Sequence, residues 1–333
     1  MLTKKLILAV VVIVLIIGAV FFLLTAKQQK KIVVKPVSQK LTKLKIGIIP
    51  IASLLQYYVA KEKGYFKEEG LDIEAVSMAG GADIAPAVAS GALNIGWSNI
   101  GSIILAHVKN FDFQYIIGGS FKNLGGPDFQ EFLVSSDSTI TKPKDLEGKK
   151  MAIPTAGRLM DLLFNEWSAK NGVDVKKIQI VEVPSPQMEA ALKNKQIDGG
   201  VFNEPYVALT LAHGVGKVFD ASPFDAVAKK YMVSSWFVKK SWSDANPQIV
   251  LSFKKAIEKS TKYINEHSEE LNGIVARNTK IDKTIIGKMI QPRFDTVISK
   301  NDIQPIIDGF AKYKFIDKAF PAQEIVDKNL ILE

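Results

Sequence analysis

Cysteine is absent from the 333-residue chain, and histidine occurs only three times. A thiol nucleophile and lipoprotein anchoring through an acylated cysteine are therefore excluded. His107, His213 and His267 are far apart and none has a paired carboxylate at metal-ligand spacing, so no metal site and no cofactor are expected. His107 and His213 fall inside predicted helices, where packing or surface roles are expected. The chain also lacks G-x-S-x-G, G-x-x-x-x-G-K-[ST] and H-E-x-x-H, the usual patterns of hydrolases, nucleotide binders and metalloproteases. Its glycine-rich runs, Gly118–Gly119–Ser120 and Gly125–Gly126–Pro127, do not form a G-x-G-x-x-G turn between strand and helix. The net charge of +9 is scattered in pairs such as Lys149–Lys150 and Lys239–Lys240, without a basic run interleaved with aromatics. No nucleic-acid footprint follows from that pattern. It reads as a solvated basic surface.

What is present begins with an uncharged run of 21 residues, Leu6–Ala26, preceded by Lys4 and Lys5. About 20 apolar residues suffice to span a bilayer as a helix, and cleavable signal peptides have shorter apolar cores. Leu24 spoils the small-residue cleavage pattern at Thr25–Ala26. Residues 1–26 are thus expected to be an uncleaved signal-anchor, one N-terminal transmembrane helix, followed by a lysine-rich tether over 27–42. Lys27, Lys30, Lys31 and Lys35 run against a strict positive-inside count. The long downstream region is nevertheless expected outside the cytoplasmic membrane, periplasmic or at the cell surface.

From Lys45 the chain alternates strand and helix signals. Lys45–Ile49, Leu71–Val76, Ile95–Trp97 and Gln114–Gly118 read as strands, with helices over Leu54–Lys63, Ala82–Ser90 and Ile100–Val108 between them. The same order restarts with strand Met151–Ile153, helix Met160–Asn171, strand Ile178–Val183, helix Met188–Lys193, strand Gly200–Phe202 and helix Tyr206–His213. Repeated β/α order calls for parallel, doubly wound sheets. After Trp242 the pattern is helical: Pro247–Glu266, Glu269–Asn278, Lys283–Ile290 and Asn301–Lys312. About 300 residues can support two cores.

Three stretches carry a family resemblance: KLKIGIIP (Lys43–Pro50), AKEKGYFKEEGLDIE (Ala60–Glu74) with the tip ASGALNIG (Ala89–Gly96), and Asp145–Pro205, which ends in Asn203–Glu204–Pro205. Their order resembles that of extracytoplasmic substrate-binding proteins of ABC importers, of the nitrate/sulfonate/taurine type, over roughly residues 43–330. Asn94 stands where that family usually has Asp. The resemblance implies a two-lobed α/β periplasmic-binding-protein fold (type II). Lobe one would comprise 43–134 plus 238–333 and lobe two 138–235, with crossover strands near Glu131–Ser135 and Val233–Val238 and the C-terminal helices packed on lobe one. It also implies three partners: a small-molecule ligand, an ABC permease and its ATPase. Enzymes that share this architecture, a thiamine-pathway pyrimidine synthase and hydroxymethylbilane synthase, depend on cysteines that this chain lacks. An enzyme is therefore not expected. A ligand-sensing ectodomain is the alternative, and with five residues ahead of the apolar run it would signal through another chain.

In open α/β sheets ligands lie at the carboxyl ends of strands, where helix N-termini offer free N–H groups. Four junctions fit: Ser53 after the first strand, Gly81 and Ala82 after the second, Ser98 and Asn99 after the third, and Thr155, Gly157 and Arg158 opening lobe two. The same residue types serve as ordinary caps and turns. Arg158 is the most pointed, because a cation is disfavoured at a helix start unless it has an anionic partner. That partner is either a ligand carboxylate, sulfonate or phosphate, or Asp161 on the next turn. The resemblance also places Asn203, Glu204 and Tyr206 at the cleft, with Glu204 capping the next helix or accepting from a ligand amine. Trp97, Phe121, Phe202, Tyr206 and Trp236 are candidates for stacking. The ligand expected is a small organic anion, with a thiamine-type pyrimidine or another neutral heteroaromatic as the alternative.

The apolar run generates the first prediction. N-terminal sequencing of the protein from the membrane fraction is expected to find residues 1–26 retained, and a mature terminus near Lys27 would overturn the signal-anchor.

Overall fold

The computed structural model describes residues 40–154, 159–221, 223–328 and 330. The apolar run, most of the tether, and Thr155, Gly157 and Arg158 lie outside the described residues. Among the described residues no helix is long and apolar enough to cross a membrane.

Two sheets organise the chain. The first has six strands in the order β11-β4-β10-β3-β1-β2, with β11 the short strand Arg293–Phe294, and the second has five in the order β7-β6-β8-β5-β9. In the first sheet, β1 (Thr42–Ile48), β2 (Leu71–Ser77) and β3 (Ile95–Asn99) run parallel. Leu44, Ile46 and Ile48 of β1 alternate along the strand and are buried, the period expected of a strand with one core face. The helices between these strands, α1 (Leu55–Glu62), α3 (Gly81–Ala89) and α4 (Ile100–Val108), supply the crossovers; α2 (Tyr65–Glu68) is a single turn after Gly64. In the second sheet, β6 (Lys150–Ile153) lies parallel to both β7 (Gln179–Glu182) and β8 (Gly199–Asn203). α5 (Leu159–Lys170), α6 (Ser185–Lys193) and α7 (Tyr206–Ala212) alternate with these strands.

Neither sheet is wholly parallel, as the β/α alternation had suggested. β10 (Met232–Lys239) is antiparallel to β3 and β4 (Phe113–Phe121), and β5 (Gln130–Ser135) is antiparallel to β8 and β9 (Gly216–Asp220). A strand that enters from the other sheet arrives at the opposite end, so it pairs in the reverse sense. β5 thus hydrogen-bonds only within the second sheet and β10 only within the first. The chain passes between the sheets at residues 122–129 and 221–231. These two passages are tied by Lys122 N–H to the Tyr231 carbonyl (3.1 Å) and Asp128 N–H to the Ala221 carbonyl (2.9 Å).

After β10 the short helix α8 (Lys240–Ala245) opens the C-terminal segment, which divides its contacts between the sheets. α9 (Pro247–Glu266) buries Val250, Phe253, Ile257 and Ile264 at helical spacing and rests on α1, where Ser260 Oγ donates to the Gln56 carbonyl (2.6 Å). α10 (Ser268–Thr279) also packs on α1. The helix expected over Lys283–Ile290 closes after one turn, α11 (Lys283–Ile286). α12 (Gln304–Lys312) departs from the expected packing on lobe one alone. It also reaches α5, with Gly309 against the Leu162 side chain and Lys312 paired to Glu166 at 2.7 Å.

Gly119 of β4 shows how tightly the first sheet is built, since a Cβ there would sit 2.2 Å from the Ser234 carbonyl oxygen of β10. Gly119→Ala must therefore push two hydrogen-bonded strands apart, a loss of about 1–3 kcal/mol. Urea unfolding of the variant is expected to show that loss, whereas an unchanged midpoint would mean that the β4–β10 pairing yields freely.

Candidate functional site

The carboxyl ends of the parallel strands of both sheets face a common cavity of about 240 Å³. From the first sheet come Ile51 and Ser53 after β1, Met78 after β2, Trp97 and Asn99 on β3, and Ser234 on β10. From the second come Gln130 on β5, Pro154 after β6, Pro184, Ser185 and Gln187 after β7, and Asn203 at the end of β8. Chain topology explains the convergence, because every βα junction of a parallel sheet opens at the same edge.

The described wall is uncharged. Its polar side chains are amides, hydroxyls and one indole, set among proline, methionine and isoleucine. The second-sheet side is linked: Gln130 Nε2 donates to Asn203 Oδ1 (2.5 Å), and Asn203 Nδ2 donates to Ser185 Oγ (3.3 Å). Gln130 and Asn203 are also direct cross-strand partners, so the side-chain bond repeats the backbone register. On the first-sheet side, Asn99 caps α4 by accepting from Ser102 N–H (3.0 Å). The Trp97 indole N–H and Gln130 Oε1 are buried without a hydrogen-bond partner.

Of the residues singled out from the sequence, Ser53, Asn99 and Asn203 line this cavity. Gly81 and Ala82 do not; they border a separate, mostly apolar groove between α3 and α4. Ser98 is fully buried behind them, and a Cβ on Gly81 would lie 1.9 Å from its hydroxyl oxygen. This close approach requires glycine. Glu204 is buried away from the cavity wall. Its carboxylate accepts from Ala208 N–H (3.1 Å), capping α7, and from Ile290 N–H (3.0 Å) in the C-terminal segment. Its carbonyl accepts from Ala52 N–H (3.1 Å). Tyr206 donates its hydroxyl to the Pro50 carbonyl (3.3 Å). Glu204 and Tyr206 thus join the two sheets beside the cavity instead of lining it. Phe121, Phe202 and Trp236 are core residues, and Trp97 is the one stacking candidate in the wall. Thr155, Gly157 and Arg158 lie outside the described residues, but Pro154 and Met160 on either side of that segment both line the cavity.

Sequence reasoning missed Gln130 and the Pro184–Ser185–Pro186 turn. The turn carries the same hydroxyl-at-a-junction signal as Ser53. Gln130 carries none, because it begins a strand that comes from the other sheet.

Comparison with known proteins follows the same lines. Residues 52–271 match the NMT1/THI5-like family. A Bacillus subtilis protein named as an aliphatic sulfonates-binding protein is 24% identical over 303 residues, covering 88% of both chains. The taurine-binding periplasmic protein of Escherichia coli is 30% identical over 204 residues, 60% of each chain. The solved structure of the alkanesulfonate-binding protein SsuA from Xanthomonas axonopodis pv. citri bound to MOPS superposes with a TM-score of 0.72 at 15% identity. That alignment covers 86% of this chain and 98% of SsuA.

Three buried carboxyls sit where the chain passes between the sheets. Burial pushes Asp128 up to about 6, against the opposing effect of Lys122. It pushes Glu131 up to about 7, with Asp128 and Asp220 adding to the rise. It pushes Glu204 up to about 8 despite the two N–H groups that its carboxylate accepts from. Each folded value exceeds the unfolded one, so between about pH 4 and pH 8 the folded protein holds protons that the unfolded chain has released. Stability from these groups is full at the acidic end of the window and is lost as pH rises through the folded values. Urea unfolding is expected to show falling stability from about pH 5 to about pH 8, and Glu204→Gln is expected to flatten the upper part of that fall. A stability that climbs across the window would contradict the burial argument.

Proposed function

This chain belongs to the NMT1/THI5-like family, and from that premise we propose that it is the solute-binding component of an ABC importer. It takes a small organic ligand between two lobes outside the cytoplasmic membrane, held there by its N-terminal apolar segment, and delivers it to a permease and its ATPase. The observation that carries the reading is the cavity itself. It is walled by junctions from both sheets, and the chain passes twice between those sheets beside it. Two lobes joined by two such passages are suited to closing on a ligand by hinge motion.

The ligand favoured is an organic anion. The segment carrying Arg158 connects two lining residues, Pro154 and Met160, and a guanidinium fork there would hold a carboxylate or sulfonate. A neutral heteroaromatic is the second reading, favoured by the uncharged described wall and by Trp97, which shares that wall with Met78, Ile49 and Ile51.

Calorimetric titration and small-angle scattering with candidate anions and heteroaromatics test the proposal. A cognate ligand is expected to compact the protein and, at about 100 times its dissociation constant, to stabilise it by roughly 2.7 kcal/mol. Tight binding without compaction would refute the hinge. For an anionic ligand Arg158→Ala should cost about 2–5 kcal/mol of binding, with Arg158→Lys restoring part of it. A change below about threefold, roughly 0.65 kcal/mol, would leave the neutral ligand as the reading.

A further inference from the structure

Gln130 occupies an unusual place in the cavity wall. It is the first residue of β5, directly after the chain has passed from one sheet to the other, and its side chain is buried with the residue 3% exposed. Its amide nitrogen donates to Asn203 Oδ1, and Asn203 Nδ2 in turn donates to Ser185 Oγ, so in this arrangement the nitrogen end of the Gln130 amide is used. The other end, Oε1, is buried with no partner. A buried carbonyl oxygen left unsatisfied is costly, and a packing role alone would be filled as well by leucine or methionine. From the first sheet, Trp97 adds the converse, a buried indole N–H with no acceptor.

We propose that Gln130 is a specificity-determining residue that reads a hydrogen-bond donor on the ligand, so that the solute bears an N–H or O–H group in addition to any anionic one. Nitrate and unsubstituted alkanesulfonates carry acceptors only. They can answer Trp97 but leave Gln130 Oε1 unpaired. An amino- or hydroxyl-bearing sulfonate or carboxylate, or an aminated heterocycle, answers both walls at once. This inference rests on the reading of the cavity as a solute site, and it selects within the ligand classes which that reading allows.

Two matched series test it by calorimetry on the full chain: taurine, isethionate and propane-1-sulfonate, which differ only in an ammonium, hydroxyl or methyl terminus, and 4-aminopyrimidine against 4-methylpyrimidine. The donor-bearing member of a series that binds is expected to bind roughly tenfold or more tightly than its methyl counterpart. Gln130→Leu should erase that preference, while Gln130→Glu, which retains an acceptor, should keep it. Melting curves establish that both variants are folded, and should the leucine variant fail to fold, Gln130→Met, which keeps the side-chain length and lacks the amide oxygen, carries the test through the donor-to-methyl ratio. Equal binding of donor and methyl compounds, or a preference that survives Gln130→Leu, overturns the role of Gln130 and leaves the solute-binding reading standing. No binding by any member of either series counts against the solute-binding reading, and the inference falls with it.

Discussion

Glu204 holds the arrangement on which the site depends. Four hydrogen bonds meet on this one buried residue. Its N–H donates to the Phe129 carbonyl (2.9 Å) at the end of a passage between the sheets, and its carbonyl accepts from Ala52 in the loop after β1. Its two carboxylate oxygens accept from Ala208 on α7 and Ile290 in the C-terminal segment. Three parts of the chain distant in sequence are therefore fixed relative to one residue. Among the described residues no cation forms an ion pair with it, so burial is opposed only by N–H donors, and its proton affinity rises accordingly. Holding such a group in its charged form costs free energy, because burial removes its hydration.

The cavity follows from that fixation. The loop Pro50–Ser53 is held by Ala52 N–H on Glu204 and by the Tyr206 hydroxyl on the Pro50 carbonyl, and it supplies Ile51 and Ser53 to the wall. Across from it, the Gln130–Asn203–Ser185 chain holds the second sheet's contribution in register. The described wall is thus set by neutral hydrogen bonds of backbone and side chains and not by charge. A wall of this kind selects by the count and direction of donors and acceptors. Because ions are not required to neutralise it, strict placement of a few polar atoms decides what fits.

Much of this was legible in the sequence, and the failures have physical causes. The β/α alternation, the long amphipathic helix Pro247–Glu266, and the strand-end location of Ser53, Asn99 and Asn203 all follow from local periodicity and turn chemistry. The sense of β5 and β10 did not, because both strands owe their direction to the sheet the chain has left. Gly81 and Ser98 had looked alike as ligand turns. The structure shows them packed against one another, a close approach that one-dimensional spacing cannot distinguish from an open loop. Glu204 had two readings from sequence, and its helix-capping half describes what it does; its bond to Ile290, 86 residues away, is non-local and had no sequence signature.

Cohesion between the sheets sets a further condition on any closing motion. One apolar cluster contains Ile84, Ile100 and Ile103 from the first sheet's helices together with Phe132, Leu159 and Leu163 from the second, and it includes Ile306 and Ile307 of α12. Another places Tyr206 and Ala208 of α7 among core residues of the first sheet. Wide separation of the lobes would expose apolar area on both flanks, at roughly 25 cal/mol for each Å² uncovered. The proposed closure is therefore confined to small rotations about the paired passages at 122–129 and 221–231, because wide opening would uncover both clusters.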